Sequence, residues 1–355
     1  MIQSVGIKNF RCFREAKIEG LRRINVIVGG SGSGKTAFLE ALFMCAAMQS
    51  DFFIKAQGWR GLAEPGTVIQ LGDSDRSFRD MWKEMFFGFD DSQSIVLAFS
   101  LAEARQRQLT IRYDVSEEGR KVILTPAGDK ALSIVTPLLF EGRSETGKAF
   151  SGPVAMTPQG TISLPLFAEP YPMALLPPSA LLNSQGTARL FSDLSKREQH
   201  RSVVEAVSEL FPMVLGLSVE VQGGSNAIFA SVRGLTQKLY VGSLSGGINK
   251  YLAALLLIAS QPRGAVAVDE FENGLYYRNL EAIWKSIVEF SRVKNTQLFV
   301  TTHSLECLRA MLPAISEAPD DFCLLRAERQ NGESLIRVFD GEHFEAALEQ
   351  NFEIR

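Results

Sequence analysis

Histidine and cysteine are scarce in this sequence: three histidines and four cysteines in 355 residues, neither set clustered. Cys12, Cys45, Cys307 and Cys323 offer no C-x-x-C spacing, which excludes a disulfide framework or a structural zinc site as the organising feature. Long apolar runs are missing as well. The longest, Leu252–Ala259, falls far below the roughly 18 residues that a spanning helix needs. The opening Met1-Ile-Gln-Ser-Val-Gly-Ile-Lys8 lacks an apolar signal stretch and reads as a strand, so the expected location is cytoplasmic. Neither charge is in excess: 37 Lys and Arg meet 40 Asp and Glu for a net of −3. That excludes a histone-like basic chain and an acidic tail, but leaves local basic patches open. Internal repeats and sustained heptads are absent, which excludes a long coiled coil.

What the chain does have is core material, with 46% hydrophobic residues. At about 150 residues per domain it holds roughly two units, interleaved or serial. Ser4–Asn9, Ala16–Glu19 and Ile24–Val28 read as strands, the last bounded by glycine and suited to a buried position. Phe38, Leu39, Leu42, Phe43 and Cys45 give the next stretch a helical face. Trp59, Pro65 and Gly66 punctuate a loop-rich region, and Phe78, Met81, Trp82, Met85 and Phe86 are spaced for a short amphipathic helix. Ser94–Ser100, Gln108–Val115 and Arg120–Thr125 look like a strand meander. Residues 151–188 carry one charge, Glu169, and seven prolines, which predicts a long surface excursion, with Tyr171–Leu182 apolar enough to pack on something. Ser195 and Glu198 fit a capping box for a helix buried through Val203, Val204, Val207, Leu210 and Phe211. Strands Leu217–Val221 and Ala227–Val232 follow, then helix Tyr251–Ser260, strand Gly264–Val268, helix Arg278–Phe290 and strand Leu298–Val300. Phe322–Ala327 and Ser334–Phe339 close the set of strands, before a short helix around Phe344–Gln350. Strand–helix alternation at both ends, with a meander and a helical insert between, predicts an α/β fold with a mixed sheet, an antiparallel N-terminal subdomain and an inserted helical lobe. The expected units are 1–150, 151–245 and 246–355.

Four segments carry chemistry. Gly29-x-x-x-x-Gly34-Lys35-Thr36 is the phosphate-loop pattern, with a buried strand before it and a helix after. Its glycines let backbone N–H groups curl around a phosphate, and the helix N-terminus adds partial positive charge. Gly29, Gly30, Ser31, Gly32, Ser33, Gly34, Lys35, Thr36 and Ala37 are therefore the candidate cradle, with Lys35 on the terminal phosphate oxygens and the Thr36 hydroxyl on Mg²⁺. Asp269 and Glu270 end a strand of small and β-branched residues, where adjacent carboxylates are costly without a cation. Asp269 is the second candidate metal residue, and Glu270 the candidate general base for an attacking water. Glu272 is either a further acidic contributor or a helix-start acid. His303 follows the strand Leu298–Val300, either as a turn residue or as a hydrogen-bond donor to the γ-phosphate; His200 and His343 read as surface residues. Ser245, Gly246 and Gly247 precede a long apolar helix and form a second anion-binding cap, either a plain helix start or a cap for a partner subunit's phosphate.

Taken in order, GGSGSGKT, SLSGG, AVAVDEFENGL and TTHS resemble the P-loop NTPase fold in its ABC-type ATPase form, as in the heads of SMC, Rad50, RecF and OLD-like proteins. The likeness is nearest to compact bacterial AAA-family ATP-binding proteins of the AAA15 or AAA21 kind. Ile7-Lys-Asn-Phe-Arg-Cys-Phe13 is similar to the family's first strand and turn, which implies that Arg11 lies near the nucleotide. Tyr276 stands where the family has a histidine, and Gln70 is the candidate for the glutamine that couples the lobes. The resemblance implies ATP and Mg²⁺ as cofactors and slow or partner-stimulated ATPase activity. It also implies a homodimer or higher oligomer in which Ser245 and Gly247 of one subunit complete the site of the other. The sequence lacks the acidic C-terminal cluster of OLD nucleases, so the effector is expected to be a separate protein. The implied setting is DNA metabolism or antiphage defence. DNA could meet Arg105, Arg107 and Arg112 or Lys196, Arg197 and Arg201, although charge runs are more often solvated faces. A membrane transporter's ATPase subunit is the competing reading, against which Asn273-Gly-Leu-Tyr276 departs from the D-loop such subunits carry. A weakly hydrolysing scaffold is the other, and intact Glu270 argues against it.

Overall fold

The computed structural model describes residues 1–48, 79–80, 82–116, 121–123, 133–156, 162–163, 169–178 and 184–350. Strands β1 (Ile2–Phe10) and β2 (Phe13–Glu19) form a hairpin, and β3 (Ile24–Val28) leads through a glycine-rich turn into helix α1 (Lys35–Ala47). The next strands are β4 (Ile95–Leu101), β5 (Gln106–Tyr113), β6 (Lys121–Ile123), β7 (Ser133–Val135), β8 (Leu138–Arg143), β9 (Ala149–Met156), β10 (Ile162–Ser163) and β11 (Met173–Leu176). Helices α2 (Ser184–Lys196) and α3 (His200–Leu210) come before β12 (Val214–Gln222), β13 (Ser225–Val232) and β14 (Leu239–Tyr240). Then α4 (Gly246–Ser260), β15 (Ala265–Val268), α5 (Leu280–Lys294) and β16 (Gln297–Thr301) alternate. Short helices α6 (Leu305–Arg309) and α7 (Leu312–Glu317), strands β17 (Phe322–Gln330) and β18 (Glu333–Asp340), and helix α8 (Gly341–Glu349) complete the described chain.

The main sheet runs β11-β15-β16-β3-β17-β18, parallel except for β18. Its central strands are buried on both faces, as a parallel sheet covered on two sides requires. Alternation then sorts their side chains. Ile24, Val26, Val28, Val266, Val268, Leu298 and Val300 enter the core under α2–α5. Ile27, Ala265, Ala267 and Phe299 enter the core shared with α1 and the second sheet. That second sheet, β10-β9-β8-β5-β4-β1-β2, is antiparallel throughout. No helix among the described residues is long and apolar enough to cross a membrane.

Several expectations change. The proline-rich stretch contributes β11, which pairs in parallel with β15. Prolines are tolerated there because β11 is an edge strand, and Pro172 still supplies its carbonyl to the Ala265 N–H at 2.8 Å. Ser195 lies inside the last turn of α2 and caps nothing; α3 starts at His200 with no side-chain cap on Gln199. The capping-box spacing is therefore coincidental. The His200 ring sits edge-on to Phe191, with centroids 5.6 Å apart, so this half-buried residue is packed on one side. Arg107 is fully buried. Its guanidinium pairs with Glu145 at 2.7 Å and donates to the carbonyls of Ala46 and Glu169, clamping the end of α1 to β5. Arg112 is engaged with Glu141 at 3.0 Å. Burial removes Arg107 from the expected cluster for DNA phosphates, whereas Arg105 stays exposed. Trp82, Met85 and Phe86 are buried, whereas Trp59, Pro65, Gly66, Gln70, Phe78 and Met81 lie outside the described residues.

Candidate functional site

The turn from β3 into α1 is built on backbone that only glycine takes without strain. Gly29 has φ of 140°, and a Cβ there would meet the Ala327 carbonyl oxygen of β17 at 2.2 Å. Gly34 has φ of 105°, and its Cβ would lie 2.9 Å from both Cys12 Sγ and Ser334 Oγ. Gly34 also occupies the N-cap of α1 without any side-chain cap, so the first N–H groups of the helix are not taken by a side chain. The Lys35 ammonium donates to the carbonyls of Gly29 and Gly30 at 2.8 and 3.0 Å, closing the loop on itself. Burial lowers the Lys35 pKa from its ordinary value, and the carboxylates of Asp269, Glu270 and Glu272 pull it back upward. Ser33 is buried, and its Oγ has no hydrogen-bond partner among the described residues. A cradle of obligate glycines, unpaired helix N–H groups and an unsatisfied buried hydroxyl fits an anionic phosphate group.

Opposite this loop, β15 delivers Asp269 and Glu270. Thr36 Oγ1 donates to Asp269 Oδ2 at 2.8 Å, a bond spanning 233 residues. The other carboxylate oxygen accepts from the Thr301 hydroxyl at the end of β16. Thr301 Oγ1 in turn accepts the Glu270 N–H at 2.8 Å. Glu270 adopts a left-handed φ of 46°. Its Oε2 accepts from Asn273 Nδ2 at 2.6 Å, which fixes the direction of the carboxylate. From α4, the buried Lys250 reaches in and donates to the Asp269 carbonyl at 3.1 Å. Burial lowers its pKa against the opposing pull of Asp269, Glu270 and Glu272. A threonine hydroxyl beside a buried carboxylate is the hard-oxygen donor pair that Mg²⁺ takes, so these residues fit that ion.

The start of α4 is a separate unit. Ser245 Oγ caps the helix by accepting the Ile248 N–H at 3.2 Å, and Ser245 and Gly246 are exposed. Gly247 packs so closely that a Cβ would lie 2.9 Å from the Gly274 carbonyl oxygen. The second glycine is thus required by the turn after Asp269-Glu270 in the same chain. His303 is exposed; its N–H donates to Glu272 Oε1 at 2.7 Å, which ties the turn after β16 to the turn after β15.

The structure therefore brings together Lys35, Thr36, Asp269 and Glu270, and holds His303 through Glu272. Ser245 and Gly246 lie on exposed backbone beside Gly274 and make their hydrogen bonds within α4. Arg11 pairs with Glu40 on α1 at 2.6 Å, placing it against the helix that follows the glycine loop. Three residues of the network were not singled out from sequence: Thr301, Lys250 and Asn273. Lys250 had a signal, a lone cation just past the first turn of an apolar helix. Thr301 had only its place before His303.

A family model described as "AAA domain, putative AbiEii toxin, Type IV TA system" matches residues 24–309. An "ATP/GTP phosphatase" of Helicobacter pylori is 23% identical over 98% of both chains. The DNA replication and repair protein RecF of Heliobacterium modesticaldum is 26% identical over 35% of this chain and 32% of its own length. Among solved structures, the SmcHead bound to the C-winged helix domain of ScpA superposes with a TM-score of 0.52 at 14% identity, covering 96% of this chain and 99% of that one. The mixed α/β architecture is accordingly that of an ABC- or SMC-type ATPase head.

Proposed function

The chain belongs to this AAA-domain family, and from that premise we propose that it is an ATP-hydrolysing switch that assembles head to head around shared nucleotides. The observation that carries the reading is the Thr36–Asp269 bond at 2.8 Å, which draws the glycine loop and the acidic strand end into one site. Mg²⁺, when held by Thr36 and Asp269, would supply charge neutralisation for the phosphates. The chain's own residues do the rest. Loop N–H groups from residues 29–37 bind the phosphates. Lys35 exchanges its bonds with the loop carbonyls for phosphate oxygens. Glu270, aimed by Asn273, takes the proton of the attacking water at Oε1 or Oε2. His303 orients toward the terminal phosphate from the strand end beside it. Arg11 lies behind the loop, against α1.

The exposed Ser245–Gly246 start of α4 supports a role in trans: its helix N-terminus is open to a second copy's nucleotide. Output would be conformational and would act on a separately encoded effector in DNA metabolism or antiphage defence, in line with the family's description and the partial likeness to RecF. The test is the light-scattering mass of Glu270→Gln with and without Mg·ATP. Doubling of the mass only with nucleotide is the expected result. A mass that never changes with nucleotide at any concentration, while ATP binds, overturns the switch.

A further inference from the structure

We infer that Cys12 is an oxidation-sensitive modification site, and that an oxygen added to its sulfur closes the phosphate cradle. The inference rests on the reading of residues 29–37 as that cradle. Cys12 lies in the turn between β1 and β2 and is half-buried, on the wall of an open cavity of about 370 Å³. Arg11, Glu84, Phe87 and Arg329 share that wall, with Arg11 paired to Glu40, and the open cavity gives small reagents a route to Cys12. The other three cysteines are buried, and burial pushes each thiol up to about 12, which keeps them protonated and inert at neutral pH.

Location makes the Cys12 sulfur consequential. Sγ lies 2.9 Å from the point where Gly34 would carry a Cβ, and the Phe13 ring lies at 3.1 Å from the same point. An oxygen added on that side of the sulfur crowds the Gly34 backbone, whose φ of 105° sets the first turn of α1. A second observation points to the same spot. Ser334 is fully buried, its Oγ has no hydrogen-bond partner among the described residues, and that oxygen also lies 2.9 Å from the Gly34 point. The Ser334 N–H already donates to the Cys12 carbonyl at 2.8 Å, which holds the two residues side by side. An oxygen on Cys12 would give the Ser334 hydroxyl the acceptor it otherwise lacks.

The reagent class is a hydroperoxide. The Cys12 thiolate attacks one peroxide oxygen; an S–O bond forms, the O–O bond breaks, and the departing hydroxide takes a proton to leave as water. Sulfur loses two electrons to become a sulfenic acid, and the peroxide gains them. Dithiol reductants reverse the change. Nucleotide in the cradle and oxygen on Cys12 therefore exclude one another.

The experiment treats the full chain with hydrogen peroxide, traps sulfenic acid with dimedone and maps the adduct by mass spectrometry. Binding of a fluorescent ATP analogue is measured in parallel. One adduct on Cys12 is expected, formed at least tenfold more slowly when Mg·ATP is present. The oxidised protein should bind the analogue at least tenfold more weakly until dithiothreitol restores it. Cys12→Ser should bind as the untreated wild type and ignore peroxide, and Ser334→Ala should shorten the life of the sulfenic acid. Adducts on other cysteines alone, or oxidised protein that binds as tightly as reduced protein, overturn the inference. If reduced protein binds no nucleotide, the cradle reading itself fails, and the position of the adduct separates that failure from this one.

Discussion

Lys250→Met removes an ammonium group and keeps a side chain of similar length on an apolar helix. The stem's packing survives; what is lost is the charge-assisted hydrogen bond to the Asp269 carbonyl and the cation beside three carboxylates. A hydrogen bond from a charged donor is worth about 1.5–3 kcal/mol. Against it stands desolvation, which outweighs the carboxylates' attraction here, since the Lys250 pKa is lowered overall. The net stability loss therefore stays below the full hydrogen-bond value of about 3 kcal/mol, and each kcal/mol shifts the melting temperature by roughly 2–4 °C at most in a chain of this length. Function should suffer more. Asp269 bridges Thr36 and Thr301, so letting its peptide drift by about 1 Å degrades the alignment of both, at a cost on the order of 100-fold in rate. The assay pairs thermal melting with steady-state ATPase kinetics: kcat falls 10–100-fold, KM for ATP stays within about threefold, and Lys250→Arg recovers part of kcat. A Lys250→Met enzyme with wild-type kcat refutes the positioning role. So does a large melting shift with nucleotide binding lost in step, which would make Lys250 simply a core residue.

Gly29→Ala drives a Cβ into the Ala327 carbonyl at 2.2 Å and forces a disfavoured φ, so it should abolish nucleotide-dependent stabilisation and lower the melting temperature, read by thermal shift with and without Mg·ATP. Alkaline pH should destabilise the fold. Cys45, Cys307 and Cys323 titrate near 9.0 when unfolded but near 12 when buried, so above pH 9 the unfolded chain holds fewer protons and stability falls by about 1.4 kcal/mol per pH unit per thiol. Lys35 and Lys250 act with the opposite sign below 10.5, because their folded pKa values are lowered. Denaturant melts from pH 8 to 10.5 on wild type and Cys45→Ala should show the shallower fall in the variant.

The sheet's centre was legible because strands buried on both faces leave continuous apolar runs: Ile24–Val28 and the alanine–valine strand Ala265–Val268 are placed from composition alone. The glycine loop was legible for a different reason. Gly29 and Gly34 occupy conformations closed to other residues, so the pattern is written in residue type. Elsewhere local signals misled. Strand β11 is apolar but wedged between prolines, and its partner β15 is about 90 positions away, out of reach of any window. Helix α2, Ser-Gln-Gly-Thr at its start, has weak helix formers and owes its existence to packing of Ala188, Phe191 and Leu194 on the core. Thr301 acquires its bonds to Asp269 and Glu270 only through the register of β16 on β15, and register is a property of two strands, not one. Arg107 sits in an arginine-rich run, yet its burial depends on Glu145 and the end of α1.

The placement of β3 between β16 and β17 also has a consequence on the ribosome. Asn25 hydrogen-bonds to the Leu298 carbonyl, a partner translated 273 residues later. At about 5–20 residues per second, β3 waits on the order of 15–60 s with both edges unpaired. For most of that interval the glycine loop exists without the Asp269 carboxylate that Thr36 will bind, so the proposed ATP site is incomplete. Nascent chains must rely on the β1–β2–β4–β5 sheet, whose neighbours are nearer in sequence, to shield the waiting strand. Nucleotide would then act as a late proof of synthesis, protecting from proteolysis only those chains in which β16 and β17 have closed around β3.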